Sequence, residues 1–367
     1  MPKRKGYLYE KVISLENCIA AEREMTDGKD KENRTANKIK ADPEKYARVI
    51  AHELSTDTWN PKPYKEHTIY DGFRKKERRI KVPCLHDQAV HHAVMRVTVP
   101  YIEKRNYFYN CGSIPDAGQI RVTRAVKRWL AKKKIIKYGE TLDIKRFYDN
   151  CPHWVVMEAL SRIFKDKKFL ALHAKILASM SDDGIGLAIG FYPSQWYANL
   201  TLSYIDRLVK EAFPKKTRRG KKEQQLWYTR YMDDMGLLAN SKRVLHKARN
   251  LIETALACFG LALKQNWQVF QIRLRGFQFL SYRFFHGFTI LKKSLMYRIT
   301  NKAIKASKHL TPHAAAGVIS HYGILKHCDS HNFKRDWIHP VISIKKCKEV
   351  VSNESRRVRR EAEPVPA

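Results

Sequence analysis

The sequence contains no run approaching the ~20 apolar residues that cross a bilayer. The basic start Met1–Lys5 is not followed by the apolar stretch of a signal peptide. The expected location is therefore the cytoplasm. Cysteine is sparse: Cys18, Cys84, Cys111, Cys151, Cys258, Cys328 and Cys347 are scattered, odd in number and never spaced C-x-x-C. That pattern argues for reduced thiols and against a zinc knuckle. The glycine-rich stretch 184–190 lacks the Gly-Lys-Ser/Thr ending of a P-loop, so an ATPase is not supported. Acidic residues are few, 36 Asp+Glu against 71 Lys+Arg, for a formal net charge of +35. Such an excess repels itself unless a polyanion shares it. The cations are spread along the chain instead of lying on one amphipathic helix, which favours nucleic acid over a membrane surface.

What is present is a globular chain of 367 residues, 44% hydrophobic, long enough for two or three lobes. Apolar spacing predicts helices over Tyr7–Met25, Pro43–Leu54, His86–Val99, Val122–Lys134 and Phe169–Met180. Pro193-Ser194 reads as a further helix start. Ser241 caps a helix whose predicted stripe is Val244, Ala248, Leu251, Ala255 and Phe259. Residues 26–37 and Lys215–Lys222 read as charged loops, and 276–291 alternates like a hairpin. The rest to about Lys345 reads as basic helix, and Val350–Ala367 as a disordered tail.

Two stretches carry candidate chemistry. In Arg230-Tyr231-Met232-Asp233-Asp234-Met235, adjacent carboxylates sit between the β-prone runs Leu226–Tyr231 and Met235–Ala239. A solvated turn is the plain reading. Carboxylates converging at a hairpin tip, where they need a cation, is the other. The second stretch, Leu142-Asp143-Ile144-Lys145-Arg146-Phe147-Tyr148-Asp149-Asn150, places Asp143 near a strand end. Carboxylates supplied by a strand and a distant hairpin are what a two-metal site requires. Arg78-Arg79-Ile80-Lys81-Val82 reads as a strand, either a solvated edge or a basic finger that grips a triphosphate. His91 and His92 point to different helix faces and suit core or capping roles. His321, His327, Cys328 and His331 match no standard zinc spacing.

In this order the motifs resemble a reverse transcriptase from about residue 7 to 345. Arg78-x-Ile80-x-Val82-Pro83 is similar to the fingers motif, Leu142–Asn150 to motif A, Gly190–Leu200 to motif B, and the Tyr231–Asp234 hairpin to motif C. Gly260-Leu261-Ala262-Leu263 opens a motif D, and Phe279-Leu280-Ser281-Tyr282 resembles the primer grip. Motif B has Ile189 in place of the usual Gln, and Gln195 in place of the usual Pro. That variant resembles the reverse transcriptases of diversity-generating retroelements, bacterial or phage-encoded. Gln88 departs from the usual Arg, and the Asn110–Gly118 loop lacks the usual basic residues. The alternative is a group II intron or retron type enzyme of ordinary fidelity.

The resemblance implies an α+β right-hand polymerase fold. Its divisions would be an N-terminal helical extension (1–65), fingers and palm (66–285), a helical thumb (286–345) and a basic tail (346–367). It implies that Asp143, Asp233, Asp234 and the Ile144 carbonyl hold two Mg²⁺ ions. Arg74 and Arg78 would grip the triphosphate of a dNTP, and Lys264 would be a further contact. Phe147 and Tyr148 would meet its sugar, with Tyr148 excluding a 2′-hydroxyl. Ile189, Gly190 and Gln195 would face the nascent pair. The implied partners are a template-repeat RNA, the RNA–DNA hybrid, and a basic, oligomeric accessory variability protein. Copying with errors at template adenines is the implied role.

Overall fold

Ser14 breaks the expected helix Tyr7–Met25 in two. Its backbone is extended and its hydroxyl accepts from the Asn17 N–H, so α1 (Tyr9–Ile13) stops and α2 (Leu15–Thr26) begins there. Asn33 likewise caps α3 (Arg34–Ala41) inside the segment expected to be loop, and Asp42 caps α4 (Pro43–Ser55). The computed structural model describes residues 3–29, 32–71, 76–131, 135–214, 216–218 and 221–360. Arg74 and residues 132–134 therefore lie outside the described residues.

The strand expected over Arg78–Val82 forms. β1 (Lys65–Asp71) pairs antiparallel with β2 (Lys76–Val82), with Ile69 opposite Arg78. α5 (Leu85–Glu103) follows, and α6 (Gly118–Leu130) starts four residues earlier than predicted. β3 (Tyr138–Asp143) ends on the predicted aspartate. Then come α7 (Phe147–Asn150), α8 (His153–Ser161), α9 (Lys167–Ala178) and the long α10 (Tyr192–Ala212). The expected charged loop after α10 instead contains two short paired strands, β4 (Lys216–Arg218) and β5 (Lys221–Glu223).

β6 (Leu226–Tyr231) and β7 (Asp234–Ala239) form the expected hairpin. In α11 (Lys242–Ala257) the buried stripe is Leu245, Ala248, Ile252, Ala255 and Leu256. The predicted Val244 and Leu251 are only half-buried, one position off that stripe. β8 (Phe270–Gln271) and α12 (Ile272–Arg275) lead to a three-stranded sheet of β9 (Phe277–Phe279), β10 (Tyr282–Phe284) and β11 (Thr289–Leu291), in the order β11-β10-β9. Helices close the chain: α13 (Lys293–Lys308), α14 (Pro312–Ile324), the short α15 (His331–Phe333) and α16 (Ile344–Arg360).

The expected disordered tail is corrected by α16. Ser343 caps its start by accepting from the Lys346 N–H at 3.3 Å. Ile344, Cys347, Val350, Val351 and Glu354 recur on its less exposed face, with Cys347 fully buried, and the helix packs along α14. Residues 361–367 lie outside the described residues. Helices and antiparallel strands together give the expected α+β class.

The chain forms two compact units: 1–118, 142–235 and 243–267 in one; 119–141, 236–242 and 268–367 in the other. The second unit holds the β9–β11 sheet and the basic helices α13, α14 and α16. There Asp329 clamps β11, accepting from the Thr289 N–H at 2.7 Å while its own N–H donates to the Thr289 carbonyl at 2.7 Å. Among the described residues no helix is long and apolar enough to cross a membrane.

Candidate active site

Strand order β6-β7-β3-β8 makes β7 the neighbour of β3. The ends carrying Asp143 and Asp234 both belong to the first unit. Asp143 is anchored by the segment after α11. Its carbonyl accepts from the Lys264 N–H at 2.8 Å, and the Lys145 N–H donates to the Ala262 carbonyl at 2.8 Å. These two bonds flank the antiparallel bridge between Ile144 and Leu263. In such a non-hydrogen-bonded pair the Ile144 carbonyl faces away from Leu263, toward the other edge of β3. Ile144 as a whole residue is fully buried.

Lys264 Nζ forms an ion pair with Asp143 Oδ2. Asp143 Oδ1 is buried with no hydrogen-bond partner among the described residues. A carboxylate already holding one cation, with its second oxygen unused, fits a metal ligand. Yet among the described residues no three His, Cys, Asp or Glu side chains come close enough together to form a metal cluster. That holds for the three aspartates and equally for His321, His327, Cys328 and His331.

The hairpin turn itself is tightly determined. Asp234 is the exposed first residue of β7, and Asp233 lies half-buried in the turn behind it. Met232 takes φ 55°, a left-handed value that a residue with a Cβ adopts only under constraint. Gly112 supplies part of that constraint: a Cβ there would sit 2.3 Å from the Met232 nitrogen. Arg230 supplies the rest. It is 0% exposed, and its Nε and Nη2 donate to the two carboxylate oxygens of Asp206 at 2.8 and 2.6 Å. Nη1 donates to the Met232 carbonyl at 2.9 Å and to Asn199 Oδ1 at 3.2 Å. Tyr228 donates to Asp206 at 2.8 Å, and Asn199 Nδ2 to the Gly112 carbonyl at 2.9 Å.

Burial works against charge on the Arg230 guanidinium, but Asp206 beside it holds its pKa above the ordinary arginine value. This network was not foreseen from sequence. Its signal was an arginine inside an apolar β run, matched by Asn199 and Asp206 seven residues apart on the buried face of α10.

Tyr148 stands near the hairpin. Burial, then the charge of Asp233, raises its phenol well above the ordinary value, and Arg230 and Arg78 pull the other way. Tyr148, Asp233 and Arg78 are thus within electrostatic reach of one another. Phe147 does not join them. Only 2% exposed, it lies in the core, set edge-on to Tyr148 at 5.7 Å.

The motif B segment is tied to both sides. The Leu187 N–H donates to the Tyr148 carbonyl at 2.7 Å, and the Lys81 N–H to the Ile189 carbonyl at 2.8 Å. Gly190, at φ 111°, passes so close to β2 that a Cβ would lie 2.3 Å from the Lys81 carbonyl oxygen. Ile189 is half-buried and Gln195 exposed on the first turn of α10. His91 is buried against Phe191, and His92 stacks on Tyr192 at 4.1 Å, so the histidine pair supports this turn as packing residues. Gln88 has a structural role: it accepts from Lys29 Nζ and donates to the Pro83 carbonyl, both at 2.7 Å.

Protein YkfC of Escherichia coli (strain K12) is 25% identical over 194 residues, covering 49% of this chain and 48% of that protein. The chain therefore spans about half the length of this relative. Among solved structures, telomerase from Candida albicans in complex with the TWJ fragment of telomeric RNA is similar over 80% of this chain and 55% of its own, at TM-score 0.47 and 12% identity. Apo telomerase from Candida tropicalis is similar over 80% of this chain and 56% of its own, at TM-score 0.49 and 14% identity. The family model for reverse transcriptase (RNA-dependent DNA polymerase) matches residues 65–284, more than half of the chain. Asp143, Tyr148, motif B and the hairpin all fall within that span, and the chain belongs to the reverse transcriptase family.

Proposed function

We propose that this protein is an RNA-directed DNA polymerase that extends a primer 3′-hydroxyl with dNTPs on an RNA template. The observation that carries the reading is the placement of Asp143 and Asp234 at the ends of adjacent strands, with Arg230 fixing the turn that bears Asp233. Asp143, Asp233 and Asp234, with the Ile144 carbonyl, would hold Mg²⁺, two ions in all, which suits the oxygen-only donor set. Bound there, the metal would acidify the primer hydroxyl and neutralise charge on the leaving pyrophosphate.

The chain's own residues bind and orient. Arg78 offers a forked donor to the triphosphate. Tyr148, backed by Phe147, closes the space beside the sugar C2′. Replacing Tyr148 with alanine is expected to raise ribonucleotide over deoxyribonucleotide incorporation by about tenfold or more, the usual value of a small steric contact. Competition between NTP and dNTP in single-nucleotide addition reads this out; unchanged discrimination counts against the role.

Motif B supports the finer reading, a diversity-generating retroelement enzyme that copies a template-repeat RNA with errors at adenine. Ile189 puts an apolar side chain where a polar one would check the nascent pair, so fewer directional contacts judge it. The same reading includes a basic accessory protein as partner. Ile189→Gln is expected to lower misincorporation opposite template adenine severalfold. Sequenced cDNA provides the measurement, and an unchanged adenine error spectrum would point to ordinary intron or retron type copying governed elsewhere.

A further inference from the structure

Tyr7 is 86% exposed, more than any other large apolar side chain among the described residues. Its backbone is left-handed, φ 57°, a region that side chains with a Cβ avoid. Both flanks are pinned. The Lys5 N–H donates to the Ile163 carbonyl at 2.9 Å, and the Lys165 N–H to the Lys5 carbonyl at 2.7 Å. On the other side, Asp166 Oδ2 accepts from the Leu8 and Tyr9 N–H groups at 2.7 and 2.9 Å. The Tyr9 hydroxyl then donates to the Leu54 carbonyl at 2.6 Å. The fold thus maintains an unfavourable conformation that turns an aromatic ring toward solvent instead of the core.

Arg4, Lys5, Lys165, Lys167 and Lys168 are exposed on the same two paired segments. Asp166 is a single carboxylate among these five cations, and its oxygens accept from backbone donors, including the Phe169 N–H at 3.2 Å. An exposed ring on a pinned backbone among cations suits single-stranded nucleic acid: the ring stacks on a base and the cations meet phosphates.

We propose that Tyr7 and this basic turn form an RNA-binding site separate from the polymerase residues, taking an unpaired stretch of the template strand. The inference rests on the RNA-directed polymerase reading. Its test uses the intact protein and single-stranded oligo(U) RNA carrying 5-iodouridine, with photo-crosslinks mapped to peptides and affinity read by fluorescence anisotropy. A Tyr7 adduct is expected. Tyr7→Gly, which suits the left-handed backbone, should fold with an unchanged or higher Tm yet bind about tenfold more weakly, one stacked base in value. Tyr7→Phe should restore binding, and an abasic strand should lose the same factor against the unmodified protein.

Absence of a Tyr7 adduct overturns the proposal. So does equal binding of abasic and base-bearing strands, which marks plain polyanion contact. Displacement by polyglutamate without dependence on Tyr7 would assign the turn to an acidic protein and overturns it too. Single-nucleotide addition on a short primer–template, measured alongside, separates the two readings. Addition without an adduct overturns only the Tyr7 site, whereas an adduct without addition supports the site and overturns the polymerase reading.

Discussion

Replacing Arg230 with methionine is expected to lower folding stability by about 3–5 kcal/mol, because Asp206 would remain as an uncompensated buried charge. At roughly 2 °C per kcal/mol for a chain of this size, the Tm should fall by about 6–10 °C. Pairing the change with Asp206→Leu should recover most of the loss, since a buried ion pair is often no better than an apolar replacement of similar volume. Denaturant titration of both variants measures this, and a single-variant loss under about 1 kcal/mol would contradict it. The double variant should still synthesise DNA poorly even where stability returns. Arg230 also donates to the Met232 carbonyl, and no apolar pair can hold the left-handed turn through that contact.

Asp233→Ala is expected to behave in the opposite way. Asp233 is half-buried at a turn held by Gly112 and Arg230, so the fold should persist with an ordinary Tm. Nucleotide addition should fall by about a thousandfold or more, because several kcal/mol of charge stabilisation go with the metal ligand. Thermal unfolding and single-turnover primer extension on the same preparation distinguish this from simple destabilisation. Full retained synthesis would remove Asp233 from the site.

These two residues mark what could and could not be read from the sequence. Asp143, the hairpin aspartates, β2 and the start of α10 were legible because each is a local pattern: a strand end, a turn between apolar runs, an alternation, a Pro at a first helical turn. Arg230, Asp206, Asn199 and Gly112 were not, because their roles depend on contacts between residues 24 (Arg230 and Asp206) to 120 (Gly112 and Met232) apart in the chain. Only the fold shows that an arginine within a β run meets an aspartate on a helix. The burial of Phe147 and its edge-on packing against Tyr148 are likewise visible only in the fold. The segment 346–360 misled for a different reason. Its density of Lys and Arg resembles a tail, while Ile344, Cys347, Val350 and Val351 keep helical spacing along a surface of α14 invisible in sequence. Ser14 and Asn33 are ordinary cap residues: apolar spacing continues past Ser14 and hides the break, while the charge of 26–37 hides the helix that Asn33 starts.

Asp143 has two environments, one oxygen on an ammonium group and one buried without a partner. An arrangement of this kind holds the carboxylate in place while leaving an acceptor available.

RNA-templated DNA synthesis at the Asp143–Asp233–Asp234 site is the proposed activity. It is tested most directly by giving the purified protein a primer annealed to a defined, adenine-containing RNA, with dNTPs and Mg²⁺, and sequencing the product. The expected product is a cDNA complementary to the RNA, with substitutions concentrated opposite adenines. No extension of a primer–template that the protein demonstrably binds would contradict it.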